Sequence, residues 1–259
     1  MMSNWRSFEE QATQYLSDHF GDIATFTHVG ESNSKKPDIC VNNDYYIEAK
    51  SCPAQCGQFV LFPNPANKKF AYSKLNASKP NDFTLEIINH MNKNFDIFSN
   101  AGTKGVDITF TGDQYIFSQW IIAYYLQKNV RFFITNNFKI YTISDIDKAF
   151  SIKAKFRIKR SGSSDVGYDN ADRIIAYINE YMSSINSISK SGKKLFVTAT
   201  NNLDKKRINV LGDDYMFSKR DQQYEIRKLS STQNANVIFS INLKPNTCDL
   251  SVVNFKCML

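Results

Sequence analysis

The chain has 259 residues, of which 42% are hydrophobic, and a formal net charge of +7. This length predicts one large domain or one domain with an appended lobe, and the composition is sufficient for a buried core. No apolar run approaches the length that crosses a bilayer, which argues against a membrane protein, and the basic balance favours a polyanionic partner such as nucleic acid.

The first predicted element is an amphipathic helix. Apolar residues recur at helical spacing from Trp5 to Phe20. Glu9 falls on the flank of this apolar face, whereas Glu10 lies with polar residues. Glu9 is therefore the candidate for a partly buried carboxylate, with a solvated surface acid as the alternative. A first strand is predicted over residues 23–28.

A β-hairpin is predicted next, from Asp38 to Lys50. Residues 39–41 have the composition of a short strand, residues 42–44 suit a tight turn, and residues 45–50 are rich in aromatic and β-branched side chains. Alternate side chains of a strand share a face, so Glu48 and Lys50 point the same way. Asp38 joins them if the two strands pair.

These three side chains suit metal-assisted hydrolysis of a phosphodiester bond. Two carboxylates bind a hard divalent cation such as Mg²⁺ and leave positions open for water and a phosphate oxygen. A lysine beside that cation can orient or deprotonate the attacking water and offset charge on the phosphorus. Burying charged side chains costs free energy unless they are paired or bind metal. The alternative is therefore that Glu48 and Lys50 form an ordinary ion pair on the surface of a hairpin.

The stretch after the hairpin, residues 53–69, contains three prolines and is predicted to be irregular. Cys52 and Cys56 lie close together here, but no second pair is nearby, so small buried thiols are favoured over a zinc site. The chain has five cysteines, an odd number, and no disulfide framework. We therefore expect reduced thiols and a cytoplasmic protein. No signal peptide is expected, because the first six residues lead directly into the amphipathic helix.

The rest of the chain divides by composition near residue 150. The predicted elements are helices beginning at 82 and 118, a hairpin over 130–141, a helix over 171–185, and strands over 195–199, 207–211, 223–229, 236–243 and 250–255. We infer an α/β domain over residues 1–150 and a mostly β lobe over residues 151–259.

A basic segment opens the predicted lobe. Arg157 and Lys159 share one face of a presumed strand, which leads to Arg160 and a Ser/Gly loop. Arginine can contact guanine edges bidentately, and serine hydroxyls can hold phosphates. The alternative is an exposed basic edge strand that resists aggregation. The residues predicted to contact DNA are Arg157, Lys159, Arg160, Ser161 and Ser163, with Lys219 and Arg220 in a second basic segment.

The hairpin, together with Phe8-Glu9, resembles the PD-(D/E)XK nuclease superfamily, and more narrowly type II restriction endonucleases. The resemblance covers about residues 8–60, and a weaker similarity extends to about residue 135. It implies a restriction-endonuclease-like core, in which helices flank a central mixed sheet, joined here to the mostly β C-terminal lobe that recognises DNA.

The same resemblance implies roles for individual residues. Asp38 and Glu48 would bind Mg²⁺, and Lys50 would assist hydrolysis. Glu9 would touch the metal site as a further ligand. A glutamine often follows the Glu-x-Lys strand, and Gln58 is assigned here as a catalytic residue, with Gln55 as the alternative match.

The function implied is Mg²⁺-dependent, site-specific hydrolysis of duplex DNA by a type II restriction enzyme. A homodimer is expected because a two-fold symmetric duplex site needs two active sites, and a cognate methyltransferase is expected in the same system. Two alternatives remain: a structure-selective or repair nuclease resembling junction resolvases, and a catalytically inactive DNA-binding module of the same fold. The extra lobe argues against the first, and the intact Asp38, Glu48 and Lys50 argue against the second.

Overall fold

The computed structural model of the chain describes residues 4–30, 36–160 and 162–259, with side chains from Phe8 onward. Within these ranges no helix is long and apolar enough to span a membrane. The α-helices are α1 (Asn4–Phe20), α2 (Asp82–Lys93), α3 (Phe95–Ser99), α4 (Asp113–Leu126), α5 (Ile146–Ala149), α6 (Tyr168–Tyr181) and α7 (Val252–Lys256).

Strands outnumber helices in the described residues. They are β1 (Phe26–His28), β2 (Ile39–Val41), β3 (Tyr45–Lys50), β4 (Ala54–Asn64), β5 (Lys69–Tyr72), β6 (Val106–Ile108), β7 (Val130–Thr135), β8 (Ile140–Thr142), β9 (Phe150–Arg160), β10 (Ser163–Asp165), β11 (Ile185–Ser191), β12 (Lys194–Ala199), β13 (Arg207–Val210), β14 (Asp213–Arg220), β15 (Gln223–Leu229) and β16 (Gln233–Leu243). The predicted mixed α/β class is confirmed.

The chain forms two compact units. The first comprises Met1–Arg157 and Ala235–Leu259, and the second comprises Ile158–Asn234. The predicted boundary between residues 150 and 151 lies close to the observed one between Arg157 and Ile158. The prediction assigned all of residues 151–259 to the lobe, whereas the second unit ends at Asn234. Residues 235–259 return to the first unit because β16 pairs there, between β4 and β9.

The first unit contains a five-stranded mixed sheet with strand order β1-β2-β3-β7-β8. β3 and β7 run parallel, and the other neighbours run antiparallel. On one face, Leu16 and Phe20 of α1 share a core with Phe132 of β7. Phe133 points to the opposite face, where its ring centroid lies 4.9 Å from that of Tyr125 in α4. Helices therefore cover both faces of this sheet.

The second sheet of this unit has the order β5-β4-β16-β9-β6. The prediction that residues 53–69 are irregular is wrong, because β4 is an 11-residue strand. It pairs with β16 through residues 54–60 and with β5 through residues 61–64. Pro63 lies beyond the β16 ladder, so its missing N–H interrupts no bond to that strand.

The predicted strand over residues 250–255 is also wrong, since this segment forms α7. The Ser251 hydroxyl accepts a backbone N–H of the first turn at 3.2 Å, which caps the helix. Phe255 is fully buried and packs edge-on against Phe20, with the ring centroids 4.9 Å apart. Burial of one aromatic side chain, together with the cap, outweighs the strand preference of two exposed valines.

The second unit is mostly β. Its sheet has the order β11-β12-β15-β14-β13, with β10 paired to β15. Ile174 and Ile178 of α6 form a core with Phe217 and Ile226, so α6 covers one face of the sheet. The opposite face carries the intervening, mainly polar side chains of β14 and β15.

Candidate active site

The predicted hairpin is confirmed. β2 and β3 pair antiparallel, with Ile39 opposite Ile47. The loop over residues 42–44 begins with two asparagines whose φ angles are 52° and 56°, a left-handed conformation that asparagine tolerates better than most residues. Continuing the same register by one residue places Asp38 opposite Glu48, so their side chains lie on the same face.

Asp38 is buried at the edge of this hairpin. Its Oδ2 accepts the Ala49 backbone N–H at 2.9 Å, and the residue is 9% exposed. Burial, followed by the charge of Glu48, raises the pKa of Asp38 to about 7, against the opposing influence of Lys50 and the Ala49 N–H. The site therefore holds more desolvated negative charge than its own cation offsets.

Glu48 and Lys50 form a close ion pair. Lys50 Nζ lies 2.6 Å from Glu48 Oε1, and both side chains are largely buried. Burial alone lowers the pKa of Lys50, but Glu48 and Asp38 outweigh it and raise that pKa above its ordinary value. Lys50 is therefore an ammonium group at neutral pH in this arrangement.

Sequence reasoning missed two residues that contact this pair. Tyr125, in the last turn of α4, donates its hydroxyl to Glu48 Oε1 at 3.1 Å. Cys56 of β4 is fully buried, hydrogen-bonds with Tyr125 and lies within electrostatic reach of Lys50. Burial raises the pKa of Cys56 to about 12, so this thiol is neutral. No local motif signals either residue, because these contacts depend on tertiary folding.

Glu9 is buried, as predicted, with 8% exposure. Its Oε2 lies 3.2 Å from Nε2 of His28, a residue that the sequence did not single out. Gly30 lies against both acids: a Cβ atom there would approach Glu9 Oε2 to 2.8 Å and Asp38 Cα to 3.3 Å. The charge of Glu9 also contributes to the raised pKa of Asp38.

The two opposed carboxylates fit a divalent cation. Within the described parts of the chain, Asp38 Oδ1 and Glu48 Oε2 accept no hydrogen bond. Mg²⁺ commonly takes one or two protein carboxylates and completes its shell with water and phosphate. No group of three His, Cys, Asp or Glu side chains that could hold a metal occurs among the described residues, so Glu9 is not joined to this pair in one cluster.

The structure does not bring Gln58 to these residues. It is exposed, and its Oε1 accepts from Asn236 at 3.2 Å and from Gln55 at 3.5 Å. The cause is a bulge in β4 at residues 56–57, where the register with β16 shifts and Gly57 has a φ of 88°. Cys56 points into the interior instead. A catalytic role for Gln58 stays a prediction.

The first basic segment occupies the end of β9. Arg157 is half-buried, and its Nε has no hydrogen-bond partner in the part of the chain that the structure describes. Lys159 is exposed, whereas Arg160 Nη2 lies 2.5 Å from Asp214 Oδ2. Arg160 is thus partly neutralised. DNA contact by these three residues stays a prediction.

The second basic segment ends β14. Lys219 is exposed, and Arg220 is half-exposed with its Nε 2.8 Å from Glu225 Oε2. Asp214, the partner of Arg160, lies six residues before Arg220 on the same strand, which corresponds to roughly 20 Å. Arg160 and Arg220 are therefore far apart, and the two basic segments do not form a single cluster.

Two serines, Ser161 and Ser163, are predicted to contact DNA, and the structure describes the second of them. Ser161 lies outside the described residues. Ser163 is exposed, but its carbonyl oxygen and hydroxyl accept from Arg227 at 3.1 Å and 3.4 Å. Phosphate binding by these serines stays a prediction.

Comparison with solved structures gives a match over nearly the whole chain. No protein-family model and no curated protein matches it. The structure of HhaI endonuclease in complex with DNA matches with a TM-score of 0.78 and 36% sequence identity, covering 99% of this chain and 97% of that one. The likeness therefore includes both compact units.

Proposed function

This chain belongs to the same family as HhaI endonuclease, a type II restriction enzyme, and we propose that it hydrolyses phosphodiester bonds of duplex DNA at a specific sequence with the aid of Mg²⁺. The proposal depends chiefly on one observation: Asp38 and Glu48 face each other across a hairpin with Lys50 beside them. These are the groups that metal-assisted phosphodiester hydrolysis requires.

Asp38 and Glu48 would hold the cation through the oxygens that accept no hydrogen bond among the described residues. When bound, Mg²⁺ would polarise a phosphate oxygen and activate the attacking water. Tyr125 fixes the orientation of Glu48 through its 3.1 Å hydrogen bond. Glu9, buried beside His28, is proposed to add negative charge to the site and, if it rotates, to serve as a further ligand.

Lys50 would act as a fixed positive charge. Its pKa is raised, so the ammonium form persists at neutral pH and is unsuited to taking a proton. As water bonds to phosphorus and the bond to the leaving sugar oxygen breaks, negative charge grows on the phosphate oxygens. A buried ammonium stabilises that charge more effectively than an exposed one.

The second unit would recognise the DNA sequence. It carries both Arg160 and Arg220, and Lys159 and Lys219 add positive charge. A homodimer, a cognate methyltransferase and action in the cytoplasm belong to the same proposal. The five free cysteines accord with a reducing compartment.

Digestion of plasmid DNA tests the proposal. Purified protein with Mg²⁺ should give a defined set of fragments, and EDTA should abolish them. A structure-selective nuclease would cut branched duplexes without defined plasmid fragments, and an inactive binding module would shift DNA without cutting it. Asp44→Ala is the matched control for loss of an acid, because Asp44 lies in the same hairpin with a side chain that is 65% exposed.

A further inference from the structure

We infer that His28 is a positioning residue of the proposed active site: its imidazole fixes the buried carboxylate of Glu9 so that one oxygen stays open to a cation beside Asp38, and Gly30 leaves the space that this contact needs. The inference rests on the proposed function and deepens it, because it assigns two further residues to the same site. It follows from three features of the first unit.

The first feature is a pattern shared by the three buried acids. Asp38 Oδ2 accepts the Ala49 N–H at 2.9 Å, and two side-chain donors hold Glu48 Oε1. Glu9 Oε2 lies 3.2 Å from His28 Nε2, a contact that needs one proton, which the imidazole can supply as an Nε2–H donor. Among the described residues the second oxygen of each acid accepts no hydrogen bond. His28 therefore orients Glu9 as the other donors orient the first two acids.

The second feature is the attachment of this contact to Asp38. β1 ends at His28, and the next two residues, Val29 and Gly30, donate their backbone N–H groups to the Asp38 carbonyl oxygen at 2.9 Å and 3.0 Å. Glu9 is close enough for its charge to contribute to the raised pKa of Asp38. In the described chain Glu9 does not join the other two acids in one cluster. Its open oxygen therefore suits the water shell of a cation at Asp38, since Mg²⁺ usually keeps several waters.

The third feature is the close approach of Gly30. A Cβ atom there would lie 2.8 Å from Glu9 Oε2, 3.1 Å from His28 Nε2 and 3.3 Å from Asp38 Cα. The backbone of Gly30 lies outside the left-handed region, so alanine is compatible with its conformation. The two closest atoms are the ends of side chains, which can move aside. An alanine at this position would therefore separate the imidazole from the carboxylate and leave the fold intact.

Binding of Mn²⁺ to the purified protein without DNA tests the site apart from cleavage. The electron paramagnetic resonance signal of free Mn²⁺ measures this binding, and Asp38→Ala should lose most of it. His28→Phe, which keeps a ring but has no donor, should bind Mn²⁺ about tenfold more weakly, because it removes a group that orients the acid beside the cation. His28→Gln, whose amide N–H can replace the imidazole donor, should recover most of this loss.

Glu9→Ala separates an effect through Glu9 from a direct effect of His28. It should weaken Mn²⁺ binding at least as much as His28→Phe does, and adding His28→Phe to it should cause no further loss. Gly30→Ala should reproduce the loss seen in His28→Phe. His19→Phe, the same substitution at an exposed histidine of α1, should leave Mn²⁺ binding unchanged. A thermal melt of each variant identifies unfolded protein.

Single-turnover cleavage across a Mg²⁺ titration gives a second measurement. His28→Phe should raise the Mg²⁺ concentration for half-maximal rate more than it lowers the rate at saturating Mg²⁺. Mn²⁺ binding of wild-type strength in His28→Phe, or a further loss when it is added to Glu9→Ala, would overturn the inference and leave the proposed function intact. Tighter Mn²⁺ binding by His28→Phe would also overturn it, because the imidazole would then restrain Glu9 from the cation. Absence of both Mn²⁺ binding and DNA cleavage in the wild-type protein would instead remove the proposed function.

Discussion

Tyr125 donates a hydrogen bond to Glu48 across 77 residues of sequence, with 3.1 Å between the Tyr125 hydroxyl and Glu48 Oε1. The same oxygen accepts from Lys50 at 2.6 Å. Two donors thus fix one oxygen of the carboxylate and leave Oε2 without a hydrogen bond among the described residues. The orientation of this candidate metal ligand is therefore determined partly by Tyr125, which lies outside the hairpin that carries Glu48.

Tyr125→Phe should slow DNA cleavage about tenfold, which corresponds to about 1.4 kcal/mol, and should raise the Mg²⁺ concentration needed for half-maximal rate. The reason is that Glu48 loses a donor that holds its orientation. Single-turnover cleavage across a Mg²⁺ titration measures both quantities. Tyr124→Phe is the matched control, since the Tyr124 ring stacks on Trp120. Equal rates for the two variants would contradict the prediction.

Asp38→Ala and Glu48→Ala should each abolish cleavage in Mg²⁺ but leave DNA binding largely intact, because each removes a proposed metal ligand and not a phosphate contact. Ca²⁺ should support binding without cleavage. Gel-shift binding and plasmid digestion measure the two properties, with Asp44→Ala as control. Cleavage at a near wild-type rate by Asp38→Ala would remove the central assignment.

Lys50→Ala should preserve metal binding but slow the chemical step by roughly two or more orders of magnitude. Lys50→Arg, which keeps a positive charge, should recover part of this loss if Lys50 acts electrostatically. Single-turnover kinetics at saturating enzyme measure the step, and Lys153→Ala, at an exposed lysine, is the control. An effect confined to DNA affinity would make Lys50 a phosphate contact.

The stability of the metal-free protein should depend on Asp38 and pH. Folding raises the pKa of this acid from 3.8 to about 7, so the folded state holds the proton more tightly. The resulting stabilisation is complete below pH 3.8 and is lost as the pH rises to about 7, by at most about 1.4 kcal/mol per pH unit. Asp38→Asn should flatten this dependence and exceed wild-type stability above pH 7. Urea unfolding in EDTA from pH 5 to 8 measures it, and an unchanged slope would count against the raised pKa.

Replacement of Arg157, Lys159 and Arg160 by alanine tests the first basic segment. Loss of an arginine that reads a base should cost roughly 1–3 kcal/mol of binding free energy at the specific site. Loss of a lysine that contacts a phosphate should weaken binding to all sequences and lower the salt dependence of binding. Competition binding with cognate and scrambled duplexes at two salt concentrations distinguishes these roles. If the triple variant binds and cuts like wild type, recognition depends on other residues, of which Lys219 and Arg220 come first.

The convergence of Asp38, Glu48 and Lys50 could be predicted because a hairpin is a local structure. Turn composition and strand alternation within 13 residues determine its register and the facing of its side chains. Tyr125, Cys56 and His28 could not be predicted in the same way. Their contacts depend on how α4, β4 and β1 pack, which no short sequence pattern encodes.

The two secondary-structure errors have a related cause. Prolines predicted an irregular stretch where β4 lies, but Pro63 occupies a position with no β16 partner. Valines predicted a strand where α7 lies, but burial of Phe255 determines the conformation. In both cases tertiary pairing or burial outweighs a local preference.

The position of β16 also bears on the order in which the protein can assemble. It is the central strand of its sheet, yet it follows the whole second unit along the chain. During synthesis the second unit, which is continuous in sequence, can fold before the first unit receives its central strand. Until then β4 and β9 lack the partner that joins them, and Phe239 is absent from its stack on Trp120 in α4, the helix that carries Tyr125. An incomplete chain therefore lacks a finished first unit, and the proposed cutting activity can arise only after the second unit has been made.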